Sequence, residues 1–168
     1  MGETLQASPL SNQSIAQYAE LIGSHHGIYS QVGKADLEKL LQLLGGRIQQ
    51  SQEMFGPEAL TVHEPGNFEV HLPPLTSDRR DRFTVAHELG HYFLHYLYPK
   101  MEGRMTFGRG TRNRAETQAN FFAASLLMPE AQFRTACTTF GSDWWSVGEV
   151  FGVSPSAASV RAQVLGVS

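Results

Sequence analysis

From Ser14 the apolar residues Ile15, Tyr18, Ala19 and Ile22 recur every three to four positions, which predicts a helix ending at Gly23. A second helix is predicted from Lys34 or Ala35 to Leu44, with Leu37, Leu40, Leu41 and Leu44 on one face and Gly45-Gly46 as its stop. The period then shortens to two. Residues 47–50, 60–63 and 67–72 read as strands, and the last places Phe68, Val70 and Leu72 on one face and Glu69 and His71 on the other. Glu64-Pro65-Gly66-Asn67 is the turn before it, and Pro73-Pro74 ends the sheet. Thr76, Ser77 or Asp78 can cap the next helix, which is apolar on most of its surface from Phe83 to Leu97 and closes at Pro99.

Residues 100–114 carry three glycines, five basic side chains and little apolar content, so they read as a long mobile loop and a candidate lid. AETQANFFAASLLMPE resumes the helical period, with Phe121, Phe122, Leu126 and Leu127 as core anchors and Pro129 as its end. Helices are predicted again over 143–151 and 155–165, the latter with Ser154 as cap and Pro155 at its first position. The pattern is α+β: a small, mostly antiparallel sheet packed on a helical core, with a C-terminal helical extension. A flexible lead-in is expected over 1–12, the main domain over 13–134, and the extension over 135–168, packed on the same domain.

Within FTVAHELGHYFLH, His87 and His91 are four residues apart, about one helical turn, so their ring nitrogens can converge on one metal ion. Glu88 between them reaches a water at that ion more easily than the ion itself, which is the role of a general base in an HExxH zinc site. A zinc ion needs a third protein ligand and an open position for water. Glu116 on the following helix is the expected third ligand, and Asn120, one turn on, is expected to orient a histidine ring. Glu116 also stands three residues after Asn113, the spacing of a capping box, which is its structural alternative. Glu102 is a weaker ligand choice. His95 lies too far along the axis to share the ion and is expected to be a hydrogen-bonded core or rim histidine.

Composition bears on location and partners. The 168 residues hold one cysteine, Cys137, which excludes an internal disulfide framework and points to a reducing, cytoplasmic setting. The N-terminus has no basic start followed by an apolar run, and no stretch approaches a membrane span. Net charge is −3, yet residues 79–134 hold nine Arg and Lys against five Asp and Glu. That basic region suits an acidic substrate segment or a nucleic-acid-bound partner, the alternative being a solvated rim. The two C-terminal helices have a helix-turn-helix outline, but Arg161 is the sole basic residue after Arg134, which argues against direct nucleic-acid binding and for packing or partner docking through Trp144 and Trp145.

FTVAHELGHYFLH followed by AETQANFFAASLLMP resembles the ImmA/IrrE family of metallo-endopeptidases. The resemblance implies a gluzincin-like zinc peptidase with one Zn²⁺ on His87, His91 and Glu116, and Glu88 as base. It also implies a protein substrate, a helix-turn-helix repressor or antitoxin-like partner often encoded alongside, cut in stress response or mobile-element control. The alternative is a non-proteolytic zinc-containing regulator that binds a repressor or toxin. For stabilising the transition state, Tyr92, His63, His71, Arg109 and Arg112 stand as unranked candidates.

Overall fold

Polar side chains open most of the helices. Ser11 caps α1 (Asn12–His25), Asp36 caps α2 (Leu37–Leu44), Ser77 caps α3 (Asp78–His91) and Asn113 caps α4 (Arg114–Leu127). Behind Pro129 lies α5 (Glu130–Phe140), which the periodicity did not predict. Asp143 then caps α6 (Trp144–Phe151) and Ser154 caps α7 (Pro155–Leu165). This computed structural model describes residues 6–30, 34–50, 59–74, 76–108 and 113–167.

Four strands, β1 (Gly46–Gln50), β2 (Ala59–Glu64), β3 (Asn67–Leu72) and β4 (Met105–Gly108), form one sheet in the order β1-β3-β2-β4. β1 runs parallel to β3, while β2 is antiparallel to both β3 and β4. The fold is therefore α+β with a mostly antiparallel sheet, as the pattern predicts. Phe68, Val70 and Leu72 are buried, and Glu69 and His71 lie on the other face, as their alternation requires. Gly45, at φ 85°, turns the chain from α2 into β1 where any Cβ would collide with the Gly66 carbonyl.

Four expectations need correction. Gly23 does not stop α1: it leaves room for the Tyr29 ring, whose hydroxyl donates to the Leu126 carbonyl at 2.6 Å. Residues 105–108 are not mobile loop but an edge strand, because Phe107 is buried against His91 with its ring 5.7 Å away. The helix through His91 changes character, since residues Tyr92–Leu97 form a wider π-helical turn, with Tyr98 N–H donating to the Phe93 carbonyl at 2.9 Å. Residues 6–11, placed in the flexible lead-in, are held: Ser8 is buried and exchanges two hydrogen bonds with Gln118.

The central layer is α3, whose residues Thr84 to His91 are all buried between the sheet and α4. α5 runs across position 134–135, and its Phe133 meets Phe151 of α6 at 5.8 Å within the same apolar cluster as the sheet and α3. Arg161 of α7 is buried and donates to the Met128 carbonyl at 3.1 Å, so it closes the end of α4 and is turned away from solvent. Among the described residues, no helix is long and apolar enough to cross a membrane.

Candidate metal centre

α3 presents His87 and His91 on one face, and α4 brings Glu116 to them in its first turn. The helices approach closely because Gly90 faces Ala119: a Cβ at Gly90 would sit 3.0 Å from both the Cα and the carbonyl oxygen of Ala119. Asn113 Oδ1 accepts from the Glu116 backbone N–H at 2.9 Å, so the capping reading holds for the backbone. The Glu116 carboxylate turns to the histidines, with Oε1 2.8 Å from His91 Nε2 and Oε2 3.2 Å from His87 Nε2. Cap and site thus use different parts of one residue. Donor atoms of His87, His91 and Glu116 all lie within 4.8 Å of one another.

The far nitrogens of both rings are engaged. His87 Nδ1 lies 2.7 Å from Asn120 Oδ1, an acceptor that keeps the proton on Nδ1 and leaves the Nε2 lone pair facing Glu116. His91 Nδ1 lies 2.9 Å from His95 Nδ1. His87 Nε2 is buried at 3.2 Å from the carboxylate without hydrogen-bond geometry, so the approach is a convergence of donors and not a satisfied bond. Two imidazoles and a carboxylate arranged so can hold a divalent metal ion and keep a further position open. Such an ion would take the place of the proton shared by His91 and Glu116 and satisfy the buried Nε2 of His87.

Electrostatics reflect that crowding. Burial pulls the His87 pKa down, but the Glu116 contact and the Glu88 charge outweigh it, and it is raised above the ordinary 6.5. Burial lowers His91 despite its contact with Glu116, and pushes His95 down to about 4. Burial also acts to raise Glu116, yet its close contacts with the two histidines hold it well below the usual carboxylate range. Glu88 is buried next to His87 in α3.

All five residues of the expected constellation, His87, Glu88, His91, Glu116 and Asn120, thus fall on the facing helices α3 and α4. Other candidates lie elsewhere. The Tyr92 hydroxyl accepts from Gly66 N–H at 2.9 Å and its ring stacks on Phe68 at 4.1 Å, so it braces the sheet. His63 and His71 flank Glu69 on the outer sheet face, at 3.7 and 3.9 Å. Arg109 and Arg112 lie outside the described residues. Sequence reasoning missed Phe107, Gln118 and Ser8. The histidine repeat 87, 91, 95 was the available signal for His95 contacting His91.

An α+β chain in which a His-Glu-x-x-His helix meets a carboxylate from the next helix belongs to the metallopeptidase class of architectures. A peptidase family model, the IrrE N-terminal-like domain, matches residues 53–163, a span that includes every donor described above. The chain belongs to this family, as its motifs led us to expect. No individual curated protein matches it at a significant level.

Proposed function

We propose that the protein is a zinc-dependent endopeptidase that cleaves a protein substrate, a DNA-binding repressor or antitoxin-like partner. The observation that carries this reading is the convergence of His87 Nε2, His91 Nε2 and the Glu116 carboxylate beside the buried Glu88. Zinc, when held by those three side chains, supplies a Lewis acid for the scissile carbonyl and acidifies a water molecule. Glu88 accepts the proton of the attacking water and returns it to the leaving amine. Asn120 holds His87 in the tautomer that can donate a lone pair, and Phe107 packs over His91 to keep the ring in place and water away.

β4 is the outer strand of the sheet on the side of the metal centre, since β2 is its partner and its own Phe107 lies against His91. An extended peptide adding to that strand would pass over the donors with its backbone aligned. The excess of Arg and Lys over residues 79–134 supports a substrate segment that is acidic next to the cut. A single, buried cysteine supports a reducing, cytoplasmic setting.

Mass spectrometry of the repressor-like protein encoded alongside, after incubation with the zinc-loaded enzyme, tests the reading. One cut made by the parent and absent with Glu88→Gln is the expected result. Binding without cleavage by both proteins would replace the peptidase with a regulator.

A further inference from the structure

The metal donors are held by partners of their own, and one of these sets reaches across the chain. Ser8 N–H donates to Gln118 Oε1 at 2.9 Å, and Gln118 Nε2 donates to the Ser8 carbonyl at 2.9 Å. A backbone N–H can only donate and a backbone carbonyl can only accept, so this pair allows one orientation of the Gln118 amide. Its Oε1 also lies 3.0 Å from His95 Nε2, which must therefore carry a proton. A neutral His95 then offers Nδ1 as an acceptor, 2.9 Å from His91 Nδ1. That places the His91 proton on Nδ1 and, once a metal ion takes the place of the proton that His91 Nε2 shares with Glu116 Oε1 at 2.8 Å, leaves its Nε2 lone pair for the metal.

We propose that Gln118 and His95 are positioning residues that set the tautomer of His91, with the backbone of Ser8 as the anchor of the relay. The opposite setting is incompatible with the site. A proton on His95 Nδ1 would be donated to His91 Nδ1, moving the His91 proton to Nε2, where it would block the lone pair. Ser8, Gln118 and His95 are buried, so water does not compete for these bonds. Asn120 sets the tautomer of His87 directly, whereas His91 is set through three groups, the last of them 110 positions from Gln118 in the chain.

The inference rests on His91 being a metal donor, and its test separates the two ideas. Long-range proton–nitrogen spectra of the histidine side chains in the full-length protein read the tautomers with and without Zn²⁺. We expect His95 to carry its proton on Nε2 in both states; a proton on Nδ1 overturns the relay whatever any variant does. His95→Gln keeps an acceptor towards His91 and a donor towards Gln118, and His95→Leu removes both. In competition with a chromogenic chelator, Leu should weaken Zn²⁺ binding roughly ten- to a hundredfold and Gln by less than about threefold. Equal weakening in the two variants, or none in either, overturns the proposal. Failure of the parent to bind Zn²⁺ would instead remove the donor assignment, with the His95 tautomer still readable.

Discussion

Gly90 and Ala119 meet backbone to side-chain position across α3 and α4, with a virtual Cβ at Gly90 only 3.0 Å from Ala119 Cα. The neighbours that would have to yield are backbone atoms of α4, the helix that carries Glu116. Gly90→Ala gains about 1 kcal/mol of helix propensity, but overpacking of this kind costs about 1–3 kcal/mol. We expect a lower melting temperature together with weaker Zn²⁺ binding, because α4 is displaced from the donors. A variant that melts higher and binds Zn²⁺ as the parent does would show that the close approach is not needed.

Asn120 separates metal binding from stability. Its side chain is exposed and its Oδ1 faces His87 Nδ1 at 2.7 Å. Asn120→Ala removes that acceptor while improving helix propensity. Zn²⁺ affinity should fall roughly tenfold or more, with the metal-free melting temperature unchanged or slightly raised. Unchanged affinity by chelator competition would exclude the orienting role.

We expect the histidines to place the stability maximum of the metal-free protein above pH 6.5, because at that pH the three unfolded rings together still hold more protons than the folded ones. His87 has a raised pKa when folded, so its contribution is present below 6.5 and is lost as pH rises through the raised value. His91 and His95 are lowered, the latter to about 4, so the fold loses stability as pH falls below 6.5 and these buried rings resist protonation. Zn²⁺ takes the place of the proton on His87 and should abolish the loss on the alkaline side. At a hundredfold excess over its dissociation constant it should add about 2.7 kcal/mol. Melting curves across this range, with and without chelator, check both; a metal-free protein that loses no more stability on the alkaline side than the Zn²⁺-loaded one contradicts the assignment.

Arg161 tests whether the C-terminal helices and the metal domain unfold together. Its buried guanidinium donates to the Met128 carbonyl at 3.1 Å, so Arg161→Met leaves that carbonyl without this partner. The expected cost is about 1–3 kcal/mol, within one cooperative transition that includes the metal centre. Two separate transitions in the variant would mean that the extension is an independent unit.

Local rules made much of this protein legible in its sequence. His87, Glu88 and His91 share a helix, so their relation depends only on helical pitch. Phe68, Val70 and Leu72 share a face by strand alternation, and Ser77, Asn113 and Ser154 cap the helices they precede. Glu116 was reached by the need for a third donor. What only the tertiary structure decided involves partners distant in the chain. Phe107 makes residues 105–108 a strand by burying itself on His91, and Gly23 is a gap for Tyr29 and not a helix stop. Tyr92, next to His91 in sequence, points to Gly66 and Phe68 instead of the site. The orientation of His91 depends on a backbone group at Ser8, which meets Gln118 only once the chain has folded. Periodicity specifies which faces an element will bury, whereas packing specifies which residues those faces meet.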